Sequence, residues 1–439
     1  MTTDQISHSR VLKIAIPVVL SNASIPLLGI VDTGVVGQLG DPVPIGAVGL
    51  GAIIIGSIYW LFGFLRMGTT GLAAQALGAG DGAEVSALLT RVLLFGGAAG
   101  LVLIALQWPL FAAALWLSPG SDAVEASART YMAVRMVAAP AAIALFGIMG
   151  WLIAQERTGA VLLLQLVQNG TNIALSAALG LWLGWGVFGV AMATVIAEIV
   201  GLALGLWLCR SGFSGSAWRH WPTVFDGAKL RRMAVVNTDI LSRSALIMAS
   251  LTSFLFFAAD LGDVPLAATQ VLIQFLYITS YVMDGMAYAA ESLVGQAVGA
   301  RAVARLRRAT WICSAWGIGL AVVMSAVFAI GGGAMIDLMT TSEPVRAEAR
   351  VYLIWLVILP VIAMPAFVID GVFIGATWTR EMRNMMILSA LLYAVAVAAF
   401  VPFFATHGLW AALVVFFGAR GLTLLWRYPR LAATVGAPI

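Results

Sequence analysis

Long apolar runs recur from one end of this 439-residue chain to the other, and they leave it few possible folds. A bilayer's hydrocarbon core, about 30 Å thick, is crossed by about 20 apolar residues in a helix. Reading the runs between Gly, Pro and charge breaks gives twelve spans: 13–38, 45–67, 89–117, 130–154, 160–182, 186–209, 234–258, 265–292, 308–331, 350–375, 384–405 and 408–427. Hydrophobic residues make up 62% of the chain and charged residues 10%, against roughly 25% charged in a soluble domain. In lipid a backbone must satisfy its own polar groups. The reading is therefore an all-α polytopic membrane protein with twelve transmembrane helices. The opening MTTDQISHSRVLK is polar and then basic, and the run after it outlasts a signal-peptide core, so it is read as a retained first span.

An even number of spans puts both termini on one side. Of 24 Lys and Arg, 17 fall on that side, 3 opposite (Arg129, Arg346, Arg350) and 4 within spans (Arg66, Arg135, Arg243, Arg420). The positive-inside rule then makes both termini cytoplasmic, in a cell (inner) membrane. The net charge of +4 follows from this topology, and the basic clusters KLRR and RAVARLRR require no nucleic acid.

The longest polar connection, 210–233, divides the chain into an amino-terminal lobe (1–209, helices 1–6) and a carboxy-terminal lobe (234–439, helices 7–12). AQALGAGD at Ala74 is echoed by GQAVGARA at Gly295, and ARTY at Ala128 by ARVY at Ala349, each 221 residues on. The offset indicates a duplicated six-helix unit, two pseudo-symmetric bundles of equal orientation.

Charges at membrane depth cost several kcal/mol and mark functional positions. Asp32, in GIVDTGVVG, has no basic residue three or four positions away, and it shares a face with Pro17, Ser21 and Leu28. Pro17 and Pro26 each remove a backbone hydrogen bond and make this helix bendable. On helix 5, Gln165, Asn169, Asn172 and Ser176 are spaced four, three and four, a polar stripe along one face. Thr194 and Glu198 share a face of helix 6. Helix 8 carries a longer stripe of Gln270, Gln274, Tyr277, Tyr281, Asp284, Tyr288 and Glu291, expected to line a substrate cavity. Asp239 and Arg243, four apart, suggest an internal ion pair with a structural or gating role. Glu198, Asp370, Arg66 and Arg420 are left without an assigned role.

Several chemistries are excluded. Neither lysine, Lys13 or Lys229, follows a glycine, so the chain has no Walker A motif. His8, His220 and His407 fall outside or at the edges of spans and form no HExxH, so no metal site is expected. Cys209 and Cys313 form no CxxC. No enzyme activity and no cofactor are expected. What remains is ion-driven movement of a small-molecule solute through the lipid bilayer. An isolated carboxyl suits proton coupling, because desolvation favours its protonated form.

The motifs IVDTGVVGQLG, FLRMGTTGLAAQALGAGD, GVAMATVIAE, NTDILSR, DGMAYAAESLVGQAVGAR and DGVFIGAT resemble the multidrug and toxic compound extrusion (MATE) transporters, in particular the DinF subfamily. The likeness spans nearly the whole chain. It implies two six-helix lobes in a V, alternating access, and proton or sodium antiport with export of amphipathic, often cationic, compounds. By similarity Asp32 matches a helix 1 carboxylate implicated in coupling, Pro17 the proline where that helix bends, and Asn172 and Thr194 polar members of the same site. Many relatives carry a helix 5 aspartate where this chain has Ser176, and a tyrosine where it has Leu28. With one ionisable group, H+ is the simpler coupling ion and Na+ the less favoured. A monomer is expected. The rival within the wider superfamily is a flippase for lipid-linked precursors, which would call for more basic residues facing the cavity to meet pyrophosphate.

Overall fold

Apolar runs punctuated by capping residues fold as expected: the computed structural model describes residues 6–38, 41–117 and 120–436, and all its regular elements are helical. Among the described residues, eight helices are long and apolar enough to cross a membrane, nine if a pair bent by 53° counts as one span. Twelve follow once two shorter or broken spans and one merged pair are recognised. Helix α1 (8–37) is interrupted at Ser24; α2 (42–78) steps at Phe62; α3 (82–117) steps at Leu106; α4 (122–154) is the bent pair. Helix α5 (158–182) changes at Ser176 from α-helical to π-helical geometry, and α6 is Gly186–Leu208. The rest are α7 (Gly227–Asp260), α8 (Asp263–Gly299), α9 (Val303–Met339), α10 (Glu343–Gly375), and α11 and α12, which share 379–436 across a break at Ala405. Asp41 and Asp81 cap α2 and α3, accepting hydrogen bonds from the backbone N–H groups of Val43 (3.0 Å) and Glu84 (2.9 Å).

The helices run past the spans read from hydropathy. Helix α8 has 37 residues, about 55 Å at 1.5 Å per residue, so its ends leave the hydrocarbon core. The bend in α1 also falls elsewhere than at its first proline. Pro17 lies inside the continuous helix His8–Ala23, and the interruption comes at Ser24, just ahead of Pro26. Pro26 lacks an N–H and disfavours helical geometry in the residues before it. At the interruption the Ser21 carbonyl accepts from both the hydroxyl (2.6 Å) and the N–H (3.1 Å) of Ser24.

The duplication read from sequence is present in the backbone. Left-handed residues occur in pairs 221 apart: Gly80 and Arg301, Glu156 and Thr377, Gly184 and Ala405. Close helix packing repeats at the same offset. A Cβ on Gly150 would overlap the carbonyl oxygen of Arg66, and one on Gly371 would overlap that of Ala287.

By contacts the chain forms two compact units: one of residues up to Val19, Thr70–Gly80 and Arg231 onward, the other of Leu20–Thr69 and Asp81–Leu230. This division differs from the lobes 1–209 and 234–439, because the start of α1 and the end of α2 pack with the carboxy-terminal helices. At that junction the duplication contacts itself: Gly78 abuts the Gln296 carbonyl and Gly299 the Gln75 carbonyl. The core of this unit centres on Phe254, Phe275, Phe328, Trp410 and Phe416; that of the other on Ile55, Phe111, Tyr131 and Met132.

The connection after α6 is packed in place. Buried Arg91 donates to the Val224 and Thr223 carbonyls (2.7 and 2.5 Å) and pairs with Glu84, which also meets Lys229 at 2.6 Å. Thr90 donates to the Trp218 carbonyl at 2.7 Å.

Ala405 has φ 45° and ψ −124°, a region that disfavours any Cβ and costs of order 1–3 kcal/mol. Its counterpart Gly184 carries no such strain. Ala405→Gly is expected to stabilise the protein by roughly 1 kcal/mol after the entropy of the unfolded glycine is counted, seen as a raised Tm of the purified protein; an unchanged or lowered Tm contradicts the strain.

Candidate functional site

The polar residues of α1, α5 and α6 meet in one hydrogen-bonded row. Ser176 donates to Asp32 Oδ1 at 2.9 Å and lies 3.5 Å from Asn172 Oδ1, and Asn172 Nδ2 donates to Thr194 Oγ1 at 2.7 Å. Further along, Asn169 Nδ2 donates to Ser24 Oγ and Ser21 Oγ to Gln165 Oε1, each at 2.8 Å. Asp32 is 9% exposed, Asn172 1% and Ser176 0%, so the hydrogen bonds between them replace most of the water these groups give up. The stripe spacing on α5 forms this row because α1 presents Ser21, Ser24 and Asp32 along a matching face. Ser176 opens the π-helical turn, where an extra residue re-aims side chains, and such turns recur at functional sites.

One turn beyond Thr194 on α6, Glu198 pairs with Arg135 of α4 at 3.2 Å. Arg135 also donates to Tyr131 Oη at 2.9 Å, and its backbone carbonyl accepts from Tyr59 Oη at 3.1 Å. Sequence reasoning gave Arg135 no role. The only local signal was its spacing of four from Tyr131.

In the other unit the expected pair of Asp239 and Arg243 does not form. Asp239 takes Arg383 at 2.6 Å and Thr379 at 3.0 Å, whereas Arg243 reaches across to Asp370. Their spacing of four allowed a pair, but better-placed partners on α10 and α11 outcompete it. Arg420 adds a second guanidinium to the same Asp370 oxygen at 2.7 Å and lies over the rings of Phe367, Phe416 and Phe417 at 5.2–5.9 Å. Both arginines and Asp370 are buried. The residues left without a role, Asp370 and Arg420, thus belong to one Arg–Asp–Arg cluster. Arg66 is buried on α2.

The α8 stripe grades from Gln274 and Tyr277, both exposed, through half-buried Tyr281, Asp284 and Tyr288, to buried Glu291. The opposite face, with Leu272, Phe275, Leu276 and Met283, is core. An exposed polar face at span depth is suited to an aqueous space rather than to lipid.

A duplicated helical membrane protein with a buried, hydrogen-bonded carboxylate belongs to the class of secondary transporters, not enzymes. Comparison with known proteins identifies the family. The sequence matches MatE over residues 17–178 and 240–400. It is 38% identical over 427 residues to DNA damage-inducible protein F of Escherichia coli, covering 94% of this chain and 91% of that protein. It is 25% identical to a probable multidrug resistance protein NorM of Rhizobium meliloti, over 92% of this chain and 90% of that one. Its fold superposes on a MATE structure in the bent conformation with a TM-score of 0.88 at 19% identity, covering 98% and 97% of the chains. An outward-facing multidrug resistance MATE family transporter gives 0.83 at 20% identity, with 97% and 96% covered. The chain belongs to the MatE family of multidrug efflux transporters.

Removing Asp370 leaves two buried guanidinium groups facing each other, and an uncompensated buried charge costs about 3–5 kcal/mol. Removing Asp239 leaves Arg383, whose side chain is 33% exposed and can hydrate. Asp370→Ala is therefore expected to lower thermal stability much more than Asp239→Ala, measured by unfolding of the purified variants. Equal losses contradict the assignment of the cluster.

Proposed function

We propose that the protein is a proton-coupled antiporter that exports amphipathic, often cationic, small molecules by alternating access, with Asp32 as the proton carrier. The observation that carries this reading is the hydrogen bond from Ser176 to a buried Asp32, in a row whose other members, Asn172, Thr194, Asn169 and Ser24, are neutral. A carboxyl in such a setting has two states, protonated or ionised, and each demands a different arrangement of the hydroxyls and amides around it. Protonation thereby favours one geometry of α1 against α5. Ser24 and Pro26, at the interruption of α1, are the hinge about which such a change would run.

The relatives support export: one is a probable multidrug resistance protein, and a fold neighbour is an outward-facing multidrug resistance transporter. A single carboxylate hydrogen-bonded to neutral groups, with the nearby Glu198 already paired to Arg135, favours H+ over Na+. The graded face of α8, with Asp284 among Tyr277, Tyr281 and Tyr288, is suited to aromatic and cationic substrates. Arg135, Arg243 and Arg420 are each engaged by a carboxylate, so none of the three favours the pyrophosphate of a lipid-linked precursor. The reading also takes the protein as a monomer of the cell's inner membrane with cytoplasmic termini.

Asp32→Asn, an approximation to a permanently neutral carboxyl, is expected to keep fold and membrane level and to lose substrate-driven proton flux in proteoliposomes. Wild-type flux in that variant refutes Asp32 as carrier. Ser176→Asp places a second carboxylate against Asp32 and is expected to create a Na+ response, read as Na+-dependent thermal stabilisation. A folded variant indifferent to Na+ shows that the helix 5 position does not complete a cation site. A cysteine at exposed position 222 should resist an impermeant reagent added to intact cells; labelling from outside reverses the topology.

A further inference from the structure

We infer that the carboxy-terminal helices hold a second binding site, a slot between α7 and α11 for a compact, uncharged aromatic molecule bearing one hydrogen-bond acceptor. The slot has a volume of about 530 Å³, within the usual 300–1,000 Å³ of small-molecule pockets. Its walls are residues 246–257 of α7 and 390–402 of α11, and no charged residue lines it. Small side chains open it: Ala249 on α7 faces Ala390, Ala394 and Ala398 on α11. The ion pairs of Asp239 with Arg383 and of Asp370 with Arg243 and Arg420, and buried Glu291, take no part in its lining. An organic cation entering here would find no carboxylate to offset its desolvation.

The hydroxyl groups fix the polarity and the class of occupant. Ser250 donates to the Leu246 carbonyl at 2.9 Å, and Ser253 to the Ser250 carbonyl at 2.8 Å. Ser253 Oγ then stands 3.4 Å from Tyr393 Oη, a length at which a hydroxyl pair is weak. With the Ser253 proton already placed, the phenol proton of Tyr393 can turn from Ser253 to an acceptor in the slot. Ser250 and Ser253 lie within, not at the ends of, a wall about 17 Å long, with Tyr393 against Ser253. A lipid acyl chain lying in the slot would press methylenes on the hydroxyls, whereas a compact molecule with a central carbonyl would satisfy them. The inference adds a substrate class to the export reading, but its binding step does not require proton coupling.

The test uses Prodan, an uncharged naphthalene with a carbonyl acceptor, and follows energy transfer from protein tryptophans. Trp410 packs edge-to-face against Phe254, the neighbour of Ser253 in sequence, with centroids 5.0 Å apart. The purified full-length protein is expected to show a saturable component. Ala394→Phe, which fills the slot, should weaken it at least tenfold, and Ala398→Leu is the alternative if that variant does not purify intact. Tyr393→Phe should retain Prodan and shift its emission to the blue, because the carbonyl loses its donor. Asp32→Asn should bind Prodan as the wild type does, which separates this site from the antiport reading. The same titration in wild type and filled variants, displacement by oleate, or displacement by tetraphenylphosphonium would each overturn the inference: the first means partition only, the second a lipid occupant, the third a cation site.

Discussion

A polar or charged group inside a membrane bundle must find its partner inside the bundle, because the hydrocarbon around it offers none. The interior of this protein is organised by that requirement. Asp32 is met by Ser176, Glu198 by Arg135, Asp239 by Arg383, and Asp370 by two arginines. Each contact ties helices that are distant in sequence, so it fixes helix order as well as charge. The pairs differ in what they leave open. Three join an acid to one or two arginines, whereas the hydrogen-bond partner of Asp32 is a hydroxyl, the contact on which its proposed role as proton carrier rests.

The duplication explains why so few kinds of contact build so long a chain. Turns with left-handed residues recur 221 positions apart, and so does the approach of α4 to α2 and of α10 to α8 through Gly150 and Gly371. Small residues let backbones come close where no hydrophobic force distinguishes a helix from lipid. The halves have since diverged in side chains while keeping this geometry. One carries the neutral row on α5; the other carries the Arg–Asp–Arg cluster of α7, α10 and α12. The strained Ala405, standing where its repeat has Gly184, is a trace of that divergence.

The two proposed sites use opposite chemistry within this scaffold. The row around Asp32, the proposed proton site, is polar, and its members are hydrogen-bonded to one another. The slot between α7 and α11 is wide and apolar, with hydroxyls in its walls and charges kept out of its lining. Separating a proton site from an apolar site lets one accept charge without raising the desolvation cost at the other.

By itself the sequence determined the class of fold, the number of spans, the duplication and the polar stripes, because all of these rest on periodicity along one helix or on repetition along the chain. Gln165, Asn169, Asn172 and Ser176 were legible as one face for that reason, and so was the stripe of α8. The partner of each charge was decided only by tertiary structure. Asp239 and Arg243 read as a pair in sequence, yet each binds a residue more than 120 positions away. Of the two prolines read as bending α1, only tertiary structure selected Pro26 over Pro17, and the π turn at Ser176, the clamp of Arg91 on the central connection and the slot beside Tyr393 were not legible. Local spacing states which side chains share a face. Which helix that face meets depends on how every other helix packs, and for a group buried in a membrane that meeting decides whether its charge is held, shared or free to take a proton.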